Sequence, residues 1–285
     1  MTNLETKNIY TKFAVYITHR TQIKHMKKAF FLIIGLFFLQ IGRAQFDDEL
    51  SHTQLYDKAV DIKVYVQMLA KDKLYLINNT HKEQAAKELD YALAKLSENI
   101  NDIDLNNEDQ AVKDLMKNIK KIWQNLNQKA TQNISNKEFT ALYFQANTFE
   151  HLVDTMVEKM KVNYQLPADK IQNYNDIQTL RILIEKITIS YYANYLGLSK
   201  SYLHEYQKNI KNVDDFIKRN SNKFLNDPVS GKIFSDIIID WNFFRANILH
   251  TDQKNPKTVF SLSTTMDYKL RVIKDKYIET LNSDF

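Results

Sequence analysis

The chain has 285 residues, of which 44% are hydrophobic and 26% charged, with a formal net charge of +5 and no cysteine. That length can bury one or two cores. The lack of thiols excludes a disulfide framework, a thiolate metal site, a cysteine nucleophile and a lipid-anchored lipoprotein.

The positive charge is local. Seven Lys and Arg residues against one acid fall within residues 1–44, and the rest of the chain carries 32 basic against 33 acidic residues. No basic face for nucleic acid is therefore expected. Within 1–44, Met26-Lys27-Lys28 is a basic start, Ala29 to Leu39 an apolar run of eleven residues, and Gly42-Arg43-Ala44 a small-x-small cleavage site. These are the three regions of a secretory signal peptide, 26–44, with Met26 as the expected initiator. The run is shorter than the ~20 residues of a membrane-spanning helix, so no stable span is expected after cleavage; an uncleaved anchor is the alternative. Export without cysteine suits a bacterial periplasm or a secreted protein.

Beyond the leader, eight helical patterns follow in chain order. The first, about 50–78, places Leu55, Ala59, Ile62, Val66, Leu69 and Leu76 on one stripe. Thr80-x-x-Glu83 reads as a capping box opening the second, with Leu89, Leu93, Leu96, Ile100 and Ile103. The third carries Val112, Leu115, Ile119, Ile122 and Leu126. Ser135-x-x-Glu138 is a second capping box, before a fourth helix whose Phe139, Leu142, Ala146, Phe149, Val153, Met156 and Met160 alternate three and four apart. That alternation is the seam of a helical bundle. Pro167 interrupts the chain, and a fifth helix over about 168–196 ends at Gly197 as its C′ residue. Ser199 caps the sixth, Asp227-Pro228 opens the seventh and Asn255-Pro256 the eighth. No stretch alternates with period two. The fold class is all-α.

The helices come in two sets. Trp123 and Trp241, the only tryptophans, are 118 apart; Asp61-Ile62 and Asp176-Ile177 are 115 apart; and residues 148–160 match 265–277 at an offset of 117, with acid on acid at Glu150/Asp267 and Glu158/Asp275. A repeat of this length predicts two tandem antiparallel four-helix bundles, 50–164 and 168–282, behind the leader.

Little in the sequence points to catalysis. Only Gly197 and Gly231 lie outside the leader, too few for a phosphate-cradling loop, a dinucleotide fingerprint or a nucleophile elbow. A di-iron bundle needs paired Glu-x-x-His motifs, and the chain offers one, Glu49-x-x-His52. His151 with Asp154 has ligand-like spacing but no third ligand nearby and reads as a surface pair. The tryptophans read as helix packing. No catalytic residue, metal ligand or cofactor is assigned.

The first helix of each set carries the rest. Val60-Asp61-Ile62-Lys63-Val64-Tyr65-Val66-Gln67-Met68-Leu69-Ala70-Lys71 and Asn175-Asp176-Ile177-Gln178-Thr179-Leu180-Arg181-Ile182-Leu183-Ile184-Glu185-Lys186 resemble the first helix of the sensor domain found at the N-terminus of type IV pili methyl-accepting chemotaxis transducers. That family is related to the periplasmic domain of nitrate/nitrite sensor kinases. Met68-Leu69 match the Met-Leu of its motif I-N-x-A-G-R-Q-R-M-L-S-Q-R-x-A, Asp61 and Asp176 stand at its Asn, and Tyr191-Tyr192 match a Tyr-Tyr common after it. The family's Gly-Arg-Gln-Arg reads Val64-Tyr65-Val66-Gln67 in one copy and Thr179-Leu180-Arg181-Ile182 in the other, which removes most of the guanidinium forks that suit a planar anion. The resemblance implies tandem sensor-like units over about 50–282, with Arg181, Lys186, Gln67 and Lys71 as candidate ligand-binding residues. For Arg181 the alternative is a surface i,i+4 pair with Glu185. No output module follows the second unit, so the expected role is a non-enzymatic, exported binding module for a small ligand, an anion among the candidates, or for an envelope partner. A purely structural helical adaptor is the alternative.

Overall fold

The computed structural model describes residues 50–249 and 255–283; the expected leader, and Glu49 of the single Glu-x-x-His motif, lie outside them. Among the described residues there are eight helices and no strand. They are α1 (His52–Ile77), α2 (Lys82–Asn106), α3 (Gln110–Thr131), α4 (Asn136–Asn163), α5 (Ala168–Tyr195), α6 (Ser201–Leu225), α7 (Gly231–Leu249) and α8 (Pro256–Ser283). The all-α reading holds. None of the described helices is long and apolar enough to cross a membrane.

Local sequence explains most of the helix ends. Ser135 and Glu138 form the expected capping box, and Ser51 with Gln54 forms another at the start of α1. Asn255 Oδ1 accepts the Thr258 amide at 3.2 Å, with Pro256 the first helical residue. α1, α4 and α5 close alike, on a left-handed residue: Asn79 and Gln165 at φ 52° and Gly197 at φ 70°. In each case the next amide reaches back five residues, as Thr80 N to Tyr75 O and Leu198 N to Ala193 O, both 3.0 Å.

Three expected caps differ, one of them Ser199, which stands before the N-cap Lys200 of α6 and accepts the Ser201 amide at 3.2 Å. Thr80-x-x-Glu83 does not form, because the Thr80 hydroxyl is drawn to the Tyr192 hydroxyl, 2.6 Å away, and α2 starts after a left-handed His81 instead. Asp227 accepts the Val229 amide at 2.8 Å, organising a turn over 228–230, so α7 starts at Gly231, three residues after Pro228.

α1 and α5 have nearly the same environment. α1 packs against α2, α4 and α5; α5 packs against α6, α8 and α1; α3 lies on α4 and α7 on α8. α1 runs antiparallel to α2, with Lys58 paired to Asp102 and Lys71 to Glu88, and antiparallel to α4, with Lys63 paired to Asp154 and Asn78 to Asn136. α1 and α5 are parallel instead: Tyr56 meets Asn175, Asp61 meets Gln178, Lys71 meets Glu185 and Thr80 meets Tyr192.

Buried positions recur along the chain. Met116, Ile119, Trp123, Leu126 and Ala130 of α3 reappear at offset 118 as Phe234, Ile237, Trp241, Phe244 and Ile248 of α7. In α4 and α8 the offset is 117, with Phe149, Glu150, Val153 and Met156 recurring as Met266, Asp267, Leu270 and Ile273. The left-handed closures of α1 and α5 fix their offset at 118. Asp61 is therefore not the counterpart of Asp176: Asp61 is buried, whereas Asp176 is partly exposed and pairs with Lys223.

Val153 has no solvent exposure. Val153→Asp should cost about 3 kcal/mol or more, because the carboxylate finds no partner in an apolar seam. A circular-dichroism melt with an unchanged midpoint would contradict this packing of α4.

Candidate functional site

A helix buried on most of its faces should be apolar throughout. α1 and α5 are not. Asp61, Gln67, Lys71, Asp72, Gln178, Arg181 and Glu185 are all buried, and α2, α4 and α8 add Glu88, Glu150, Asp267 and Lys274. Charges removed from water need partners, and here they find them mainly across the α1–α5 seam and on the fourth helix of each set.

Arg181 is fully buried rather than paired with Glu185 at the surface. Its Nε donates to Asp267 Oδ1 at 2.7 Å, and Nη1 donates to Asp61 Oδ1 at 3.1 Å and Gln178 Oε1 at 2.9 Å, while Nη2 has no hydrogen bond among the described residues. Lys274 Nζ donates to Asp61 Oδ2 at 3.1 Å and also reaches Asp57. Burial works to raise the Asp61 pKa, but Lys274, Arg181 and the hydrogen bonds outweigh it and hold the carboxyl below its usual range.

The other three sequence candidates divide between two clusters. Lys71 Nζ lies 3.1 Å from Glu88, 3.1 Å from Glu185 and 3.5 Å from Asp72, and 4.8 Å above the Phe260 ring. Gln67 and Lys186 meet instead on Glu150, which accepts from Gln67 Nε2 and, at 2.9 Å, from Lys186 Nζ.

The clusters are counterparts. Gln67 and Glu185 are equivalent at offset 118, and Glu88/Glu205, Asn147/Thr264 and Glu150/Asp267 are equivalent at 117. Both clusters are crossed from α5: Glu185 reaches Lys71 of α1, and Lys186 reaches Glu150 of α4, the acid that Gln67 of α1 also holds. Near the second-helix glutamate the sets diverge. The Tyr143 hydroxyl donates to Glu205, whereas the equivalent Phe260 has no hydroxyl, and Glu88 is held by Lys71, Gln84 and Thr264.

Beside Glu88 opens a cleft of about 430 Å³ between α2 and α8, with Lys71 and Met68 of α1 against its floor. Arg271 of α8 flanks it, 5.5 Å from the Tyr91 ring centroid and 5.6 Å from that of Tyr268, with Nη1 donating to the Tyr91 hydroxyl at 2.7 Å. Of the four sequence candidates only Lys71 lines this cleft. Glu88, Asp267 and Arg271 were not among them. The one hint at Asp267 was its match to Glu150 within the repeat. Arg271, one of four arginines beyond the leader, carried no signal.

The remaining polar candidates are structural. His151 is exposed and 3.9 Å from Asp154, and His52 stacks on Tyr164 with ring centroids 4.1 Å apart. Trp123 and Trp241 are buried, and Trp241 Nε1 donates to Asp214. Among the described residues no group of three or more His, Asp or Glu could hold a metal ion.

Lys71 is the cation that buried Glu185 and Asp72 share, and its pull on them is outweighed by their burial. Burial pushes Glu185 up to about 7 and Asp72 well above the usual carboxylate range, and at the far end of the network burial and Asp61 push Asp57 up to about 6. An acid with a raised folded pKa keeps a proton that the unfolded chain has released. Its contribution to stability therefore grows as pH falls from its folded pKa toward about 4, the unfolded carboxylate value. Melting temperature should rise between about pH 8 and pH 5, and Glu185→Gln should flatten that rise; a protein more stable at pH 8 would contradict the assignment. No protein-family model, no curated protein and no solved structure matches the chain.

Proposed function

We propose that the chain is an exported, non-enzymatic, sensor-like binding module, built as two tandem antiparallel four-helix bundles joined through the parallel α1 and α5. Its small ligand occupies the α2–α8 cleft. The observation that carries this reading is Lys71, which borders the cleft and pairs across the seam with Glu185. A charged ligand at the cleft changes the field on Lys71, and through it the balance of charge between the two first helices. Binding is thereby converted into a change at the α1–α5 seam, as a sensor requires. The likeness of the first helices to the type IV pili transducer sensor domain agrees with this role, and the leader pattern of residues 26–44 agrees with a periplasmic or secreted bacterial location. An envelope protein would then receive the signal.

A second reading, a structural helical adaptor, draws on α7, where Ile239 and Phe243 lie one turn apart and are 64% and 58% exposed. An apolar strip of this kind can seat a partner helix.

A thermal-shift screen of charged metabolites separates the two. A ligand that binds only the folded state raises the melting temperature by mass action. The cleft reading expects such a shift, its loss in Glu88→Gln, and its retention in Thr148→Ala on the exposed face of α4. If no metabolite shifts the protein, and Phe243→Glu abolishes capture of an envelope partner, the adaptor reading replaces it.

A further inference from the structure

The cleft presents both signs of charge on one face of α8. Thr264, Asp267 and Arg271 are three and four residues apart, so they share that face, and Asp267 and Arg271 are separated by about 6 Å along the helix axis. Both are incompletely used. Asp267 gives Oδ1 to Arg181, and its Oδ2 accepts no hydrogen bond among the described residues. Arg271 spends Nη1 on the Tyr91 hydroxyl and makes no ion pair among the described residues, so Nε and Nη2 are open. Its guanidinium is held between the rings of Tyr91 and Tyr268, which fixes its orientation without neutralising it. A fixed, unneutralised guanidinium is suited to a carboxylate. A carboxylate oxygen about one helical turn away is suited to an ammonium group.

We propose that the α2–α8 cleft binds a free amino acid. The inference rests on the cleft reading above and names its ligand class. The ligand carboxylate takes Arg271 Nε and Nη2, its ammonium donates to Asp267 Oδ2 with the Thr264 hydroxyl beside it, and its side chain lies against Met68 and Tyr268. The lining mixes signs, with Lys71, Lys87 and Arg271 against Glu88 and Asp267, and so suits a zwitterion better than a dianion such as phosphate. A plain amine leaves Arg271 unanswered, and a plain carboxylate leaves Asp267 so.

The test is calorimetric titration of the purified full chain with the standard L-amino acids. Short fatty acids serve as carboxylate-only controls and alkylamines as amine-only controls. At least one amino acid should bind, with each control weaker by about tenfold or more, since either control forfeits a charge-assisted hydrogen bond. Arg271→Gln should lose about tenfold or more while the ligand-free melting temperature holds, because Arg271 has no carboxylate partner to lose. Arg271→Lys should fall between. Because Asp267→Asn also disturbs Arg181, Thr264→Val tests the ammonium end without touching that pair, and it should weaken amino acids but not fatty acids. Controls that bind as tightly as the amino acids, or Arg271→Gln that binds normally, would overturn the proposal. If no amino acid binds while another metabolite gives a Glu88-dependent shift, the ligand class falls and the cleft reading stands. If nothing binds, both fall.

Discussion

The structure depends on how α1 and α5 bury charge against each other. Two parallel helices at the centre of a helical protein would ordinarily meet through apolar side chains. Here Asp61, Lys71, Gln178, Arg181 and Glu185 lie in or beside that contact with almost no access to water. Removing such groups from water is costly, and their mutual attraction offsets the cost only when nearly every donor and acceptor is matched. That condition makes the register strict. Sliding α5 by one residue past α1 would point Arg181 away from Asp61 and Asp267, and would withdraw Glu185 from Lys71. Apolar packing alone tolerates such shifts far better, so the network contributes uniqueness of arrangement more than raw stability.

The same network links packing to function. Because the two sets are related at offsets of 117 and 118, their charged clusters could have been equivalent, and they are not. In one, Tyr143 donates to the second-helix Glu205. In the other, Phe260 stands in place of the tyrosine, and Glu88 is left to Lys71, Gln84 and Thr264 beside an open cleft. One hydroxyl fewer at that position accompanies a change from a direct hydroxyl–carboxylate contact to an open cleft. Protonation adds a second input. With Glu185 pushed up to about 7 and Asp57 to about 6, the charge on the seam changes between about pH 8 and pH 5.

Much of this was legible in the chain. Apolar spacing, only two glycines after residue 44 and the capping serine at Ser135 gave an all-α protein with helix limits within a residue or two for α1 and α5. The tryptophan spacing of 118 equals the offset at which the buried face of α3 recurs in α7. Acid on acid at Glu150 and Asp267 marked the two acids that hold Lys186 and Arg181. What escaped is long-range. Arg181 could be read as a surface partner of Glu185, because its true partners are 120 and 86 residues away in sequence. Thr80-x-x-Glu83 failed as a cap because the Thr80 hydroxyl is claimed by Tyr192, 112 residues on. Arg271 carried no signal, because the Tyr91 hydroxyl to which it donates lies on another helix, 180 residues away in sequence.

The seam itself is tested most directly by a double-mutant cycle on Lys71 and Glu185, with Lys71→Met, Glu185→Gln and the pair measured by chemical denaturation at about pH 8, where Glu185 is ionised. A charge pair that joins the two first helices should show a coupling energy of at least about 1 kcal/mol, with each single variant destabilised more than the double. Additive effects of the two substitutions would mean that the helices are held together by their apolar faces alone, and that Lys71 transmits nothing from the cleft to α5.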